Sequence, residues 1–341
     1  MLGPNVTNDP EYFLESDSAI EARKKRRERA NYTQGNAIKL NSKALCMATD
    51  GKSLYVGESG FFTKKWDPTT RKSLMTYRNH TGPVSCLDCN GEYLASGSWD
   101  KSINIYNAQS GIVVATLKKH KDFVKSIKFI EGTDLLISCG TDNSIILWDV
   151  KKKEFVREIN DQSVKFHSLC LFEDSFFVGC SEGSIRCYSL KDFSLQYTLK
   201  EHLTTVYDLF ILNDSLYSSS ADKIVLQWTL EERKWEDKYE HSDWPKCVKA
   251  KSNFLFTGCR EGLLRIWDAS NAKLLAVIDG HFDEISDVLV MDDVVHTCSL
   301  DGTVRSWNIN DAITNTESEL KQPEQIISAE EEAALAELML D

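Results

Sequence analysis

The chain has 341 residues, with 40 Lys and Arg against 52 Asp and Glu, a formal charge of −12, and 42% apolar residues. That balance suits a soluble globular protein and argues against general coating of nucleic acid, though not against a local basic patch. No run approaches the roughly 18 apolar residues of a membrane span, and the N-terminal MLGPNVTNDPEYF has no apolar core for a secretory signal.

In chain order, residues 1–31 come first and carry six acids and six bases. Ser18 and Glu21 form a capping box that predicts a helix over 18–30, with RKKRRER in its last turns. The basic run from Arg23 to Arg29 fits an import signal or an RNA contact, and equally a solvated helix face. From 32 to 312 the chain repeats itself. An aromatic closes a short alternating run at Trp66, Tyr106, Trp148, Tyr188, Trp228, Trp267 and Trp307, at spacings of 40, 42, 40, 40, 39 and 40. An acid stands six residues before every one but the first: Asp100, Asp142, Glu182, Asp222, Glu261 and Asp301. Five of the seven histidines keep the same period, at His80, His120, His202, His241 and His281. Residues 313–341 then hold eight acids and one Lys. There Ser328 and Glu331 predict a helix near 329–340, with Leu335, Leu338 and Met339 on one face as an interaction segment.

Ten cysteines recur at strand-like places such as Cys139, Cys180, Cys259 and Cys298, where a reduced Cys acts as a small buried hydrophobe. Cys86 and Cys89 make a CxxC, but no second Cys or His pair at ligand spacing completes a metal site. No metal and no cofactor are expected.

This register resembles the WD40-repeat family, and HTGPVSCLDCNGEYLASGSWDKSINIYNAQSGIVVATLKKH follows its pattern from end to end. The resemblance implies an all-β chain, a seven-bladed WD40 β-propeller over 32–312 with short helical N- and C-terminal extensions. Four short strands per unit cannot bury both sheet faces until neighbours pack around an axis. The resemblance also implies a buried chain of hydrogen bonds in each blade, linking the His, a strand Ser or Thr, the turn acid and the Trp. Ser96, Ser138, Ser218, Thr257 and Thr297 supply the hydroxyl in blades that have the His. Blade four has Gln162, Val178 and Tyr188 instead, and blade one has Leu40, Val56 and Gly60. Such members should be lost together, because a buried polar group without a partner is costly. Blade seven runs out after three strands, so its outer strand is expected from 31–41, which closes the ring and removes a free edge.

In this family partners usually bind the face where the first strands start and the second-to-third-strand turns converge. Three positions per blade face it: the third and fifth after the His position, and the one before the turn acid. They hold the bases Lys43, Lys125, Lys165, Lys246 and Arg260, the aromatics Trp99, Phe123, Tyr207 and Trp244, His167, and one acid, Glu284. That inventory predicts a non-enzymatic scaffold or adaptor, cytoplasmic or nuclear, that holds an acidic or phosphorylated segment of a partner protein. An RNA-associated component of a ribonucleoprotein would use the same residues. A substrate receptor of a ubiquitin ligase is a further alternative, although the WD-x-Arg signature and an F-box-like helical domain are missing from this sequence. With no nucleophile elbow and no phosphate loop, and with His167 and His296 lacking an obvious partner in sequence, no catalytic residue, small-molecule substrate or membrane contact is expected.

Overall fold

The computed structural model describes residues 34–314, together with Glu21, Lys24 and Lys25, which are helical. The helix expected near 329–340 lies outside the described residues. Among the described residues, twenty-eight strands form seven four-stranded antiparallel sheets. The blades span 44–78, 84–118, 124–160, 166–200, 206–240, 245–279 and 285–308. Six take their strands consecutively, whereas the seventh is completed from the N-terminal side by Ile38–Lys39. Ile38 pairs with Val304 and Lys39 with Thr303, and the Leu40 N–H reaches the Gly302 carbonyl at 2.8 Å. Helical residues 309–314 follow blade seven, and Ile309, Ala312 and Ile313 pack with Phe254 and Val290.

Local chemistry fixes each blade. The residue after the turn acid position has a positive φ in every blade: Phe61, Lys101, Asn143, Gly183, Lys223, Gly262 and Gly302. Glycine suits this turn for a second reason at Gly183, where an added Cβ would stand 2.2 Å from the His202 carbonyl oxygen. Each first strand carries a bulge after its first residue, as between Val124 and Ser126, which re-aims the side chains that follow. The first strands of adjacent blades lie side by side around a central channel.

The core sits in the seams between blades. Ile103, Ile105, Val124, Leu136, Ile146 and Trp148 fill the seam of blades two and three, and Ile38, Ala44, Leu54, Trp66, Cys298 and Val304 that of seven and one. Nine of the ten cysteines are buried in this packing, and Cys89 is half-buried. Inner-strand carboxylates stitch neighbouring blades. Asp88 accepts the Phe129 N–H at 2.8 Å, Asp208 the Val248 N–H at 3.0 Å, and Asp287 the Met47 N–H at 2.8 Å. The last of these bonds crosses from blade seven to blade one, so the closing seam is made like the others. Among the described residues no helix is long and apolar enough to cross a membrane.

Candidate functional site

The convergent face is organised by one repeated backbone bond. In all seven blades the residue before the turn acid position donates its N–H to the carbonyl of the third residue after the His position. Examples are Trp99 to Pro83 at 3.0 Å, Thr141 to Phe123 at 3.0 Å and Arg260 to Trp244 at 2.9 Å. Two of the three face positions are thereby tied together, and the third follows two residues on, where the first strand enters the channel.

Beneath this rim the turn acids are withdrawn from solvent. Asp100, Asp142, Asp222 and Asp301 each accept from a His Nδ1 at 2.8–2.9 Å, while the His Nε2 meets Ser96, Ser138, Ser218 or Thr297 at 2.7–2.8 Å. Trp148, Trp228 and Trp307 donate their indole N–H to the same hydroxyls. Burial alone would raise the Asp142 carboxyl, but bonds from His120, the Lys121 N–H and Ser144 outweigh it and hold it at about 2.

Blade six departs from the expected chain. His241 still meets Thr257 at 2.9 Å, but its Nδ1 donates to the Tyr239 carbonyl, and Glu261 turns instead to Ser242 and Arg265. Glutamate is one methylene longer than aspartate and reaches outward to the guanidinium. Blade one has a substitute that the repeat register hides. Glu58 lies two positions before Gly60, fully buried, and accepts from Ser42 at 2.9 Å with Lys64 at 3.5 Å. Burial raises its carboxyl above the ordinary value.

The face residues gather into two groups. Trp99 and Phe123 stack at 5.1 Å with 19° between their planes. Across the channel, Tyr207 and Trp244 lie 6.3 Å apart, with Lys246 3.6 Å over the Tyr207 ring and Arg260 4.4 Å over Trp244. Glu284 stands 3.7 Å from Lys246. Lys43 and Lys165 are exposed and lie outside these pairings.

Lys125, His167, Tyr207 and Lys246 line the channel, a cavity of about 370 Å³. Burial, with Lys125, Lys246 and Lys165 nearby, pushes His167 down to about 3, so its imidazole is neutral. Burial and then Lys246 draw Lys125 below the ordinary lysine value. Deeper in, the charges pair off, with Lys128 on Asp88 at 3.0 Å and Lys249 on Asp208 at 2.6 Å. Each pair is 40 or 41 residues apart in sequence, a spacing that places its members on adjacent blades. His296, the other histidine outside the repeat, is buried and meets the Ser306 hydroxyl at 2.8 Å.

On the opposite rim one set of turns is acidic. Its first-to-second-strand turns hold Asp50, Glu92, Glu131, Asp134, Glu173, Asp174, Asp214, Asp292 and Asp293 against one base, Lys52. The third-to-fourth-strand turns on the same side carry Arg71, Lys72, Lys151, Lys152, Lys153, Lys191 and Arg233, so the acidity there belongs to the first-to-second-strand turns alone.

Comparison with known proteins agrees with this geometry. The WD40-like domain matches residues 86–247, and the WD domain, G-beta repeat, matches residues 272–308. An uncharacterized WD repeat-containing protein of Schizosaccharomyces pombe is 30% identical, over 98% of this chain and 100% of the relative. The kinesin-like protein KIF21B of Homo sapiens is 22% identical over 69% of this chain. A CCR4-associated factor 4 homolog of Vanderwaltozyma polyspora is 24% identical over 61%. The aligned regions amount to 19% and 32% of those two proteins. The crystal structure of the computationally designed Ika8 protein superposes with a TM-score of 0.65 at 18% identity, covering 80% of this chain and 98% of that one.

Proposed function

Because this chain belongs to the WD40-repeat family, whose propellers are generally non-enzymatic scaffolds, we propose that it holds an acidic or phosphorylated segment of a partner protein on its aromatic face. One observation carries this reading. Of the face cations, Lys246 and Arg260 are set over aromatic rings and Lys125 at the channel mouth, while the nearby turn acids of blades two, three, five and seven are bound to histidines below it. A cation over a ring contributes about 0.5–2 kcal/mol, and an incoming carboxylate or phosphate adds charge to that arrangement while the rings supply contact area. Membership in a multiprotein assembly also fits the relative named for association with CCR4.

The test is a pull-down of the native partner. Lys246→Glu with Arg260→Glu should release it while leaving the melting temperature nearly unchanged. Trp244→Ala should release it with little change in salt dependence, because it removes area rather than charge. Charged contacts at such a face weaken with salt, since the screening length is about 8 Å at physiological ionic strength. Release only by Glu131→Lys with Asp134→Lys would place the partner on the opposite rim. RNA is the second reading, favoured by the Trp99 and Phe123 stack as a platform for bases. Loss of the co-purified material on nuclease treatment would select it.

A further inference from the structure

A strand at the edge of a sheet offers unpaired N–H and C=O groups to any further strand unless charges blunt it. Among the described residues, the outer strands of blades one to six pair on one side only. Those of blades one, two and four have six residues and a single charge, a base at the last position: Arg78, Lys118 and Lys200. Those of blades three, five and six have seven residues, Glu154–Asn160, Lys234–Glu240 and Lys273–Asp279. Blade three carries Arg157 at the midpoint of its strand, and blade five carries Asp237. Blade six reads KLLAVID, with charges only at its two ends, Lys273 and Asp279, and Ala276 at the midpoint. Leu274 and Val277 in that strand are exposed at 42% and 41%. All three seven-residue strands bulge at the same place against the third strand, so they differ in side chains rather than in backbone path.

We propose that the outer strand of blade six pairs with the same strand of a second copy, joining two four-stranded sheets into one across a two-fold axis. The strand is complementary to itself. Two copies related by an axis through the midpoint run antiparallel, so the lysine end of each meets the aspartate end of the other. Between those ends only uncharged residues, Leu274 to Ile278, lie against their counterparts. Opposite charges across an antiparallel pair are favourable, and like charges set directly opposite are unfavourable. The same operation on blade three would bring Arg157 against its own copy, and on blade five Asp237 against its own copy. In blades one, two and four the basic end would meet an uncharged end. Of the six, only blade six combines attraction at both ends with an uncharged midpoint. A contact of one strand from each copy is small, so the dimer is weak and depends on concentration. It lies on the perimeter, and the aromatic face of each copy stays open.

The experiment is sedimentation velocity of the full chain over a range of concentrations, with the melting temperature of each variant recorded beside it. Wild type should pass from monomer to dimer as concentration rises. Lys273→Glu sets acid against acid at both ends and should weaken the dimer at least about tenfold. Lys273→Glu with Asp279→Lys reverses both ends together and should restore it to within about threefold. Val277→Lys, at an exposed position, puts a charge near the axis and should weaken the dimer by a similar factor, about tenfold. Lys246→Glu with Arg260→Glu, on the aromatic face, should leave it unchanged. A chain that stays monomeric at every concentration overturns the proposal, and so does a dimer indifferent to both Lys273→Glu and Val277→Lys. A double reversal that melts like wild type and still fails to dimerise overturns the antiparallel pairing. A dimer lost instead in the Lys246→Glu with Arg260→Glu variant is built on the aromatic face, which overturns the pairing as well. Should Asp279→Lys unsettle the blade, the two single variants Lys273→Glu and Val277→Lys decide between these outcomes.

Discussion

Blades three and four share one frame of four antiparallel strands, and they stabilise the same turn by opposite means. In blade three, His120 joins Asp142 at 2.9 Å to Ser138 at 2.8 Å, and Trp148 donates to that hydroxyl at 2.8 Å. Both the His120 and Asp142 side chains are almost fully enclosed. Blade four replaces this chain with an ion-pair fork. Arg186 meets Asp161 and, at 3.3 Å, Glu182, whose side chains are 30% and 39% exposed. Val178 fills the buried place of the hydroxyl, and Tyr188 stacks on Phe176 at 5.2 Å where the Trp would donate. A buried network is costly to break, because each orphaned member loses its partner and has no water to replace it. An ion pair whose acids remain partly exposed loses less when one acid goes, because solvent and the second acid take over. Blade six shows that the acid is the separable member, since His241, Thr257 and Trp267 stay connected after Glu261 has turned away.

The largest expected effect that probes this contrast is Asp142→Ala, which should cost about 1–3 kcal/mol in urea unfolding. Matching losses from Glu182→Ala would break the distinction. Acid sharpens it further. The depressed Asp142 carboxyl contributes stability that is present above the ordinary carboxylate range and is lost as pH falls through about 2. The stability gap between wild type and Asp142→Ala should therefore narrow below about pH 4. Asp287, in the closing seam, has the opposite sign. Burial, against Lys249 and two backbone N–H donors, raises it to about 6, so its share of stability falls as pH rises from about 4 to about 6. Asp287→Asn should flatten that slope. Next in size, Glu182→Ala and Arg186→Met should each cost less than about 1 kcal/mol. Smallest of all, Gln162→His should stay within about 0.5 kcal/mol, because Val178 offers the new imidazole no hydroxyl. A clear gain from that single change would mean that the histidine acts without its chain.

The blades were legible because their period is set by backbone geometry, and turn acids, hydroxyls and aromatics keep fixed places within it. The register also located the three face positions in every blade, since one backbone bond ties two of them together. It did not reveal which face residues engage each other. Lys246 with Glu284, and Tyr207 with Lys246, are contacts between adjacent blades, and they depend on rotamers that no single repeat encodes. Glu58 escaped notice because it sits two residues from the place the repeat assigns to an acid. Arg186 escaped because its partner Asp161 comes from the connection before the blade's first strand. The paired acids of the channel did leave a trace, the 40-residue offset between Asp88 and Lys128.

The clasp at blade seven has a mechanical consequence. Among the described residues only Ile38 and Lys39 pair with the third strand there, whereas the outer strands of the other blades run six or seven residues. Gly35 lies against the Trp307 ring, so the incoming chain and the outgoing chain at Asn308 sit at one end of that pairing. Tension applied through the two termini would open the clasp from that end, one bond after another, rather than shear it along its length. Once the packing of residues 309–314 has given way, the strand bonds at Ile38 would carry load first and that at Leu40 last. Tethered at both ends, the ring has a low-force release at a single known place, while a pull exerted across its faces is borne by all seven blades together.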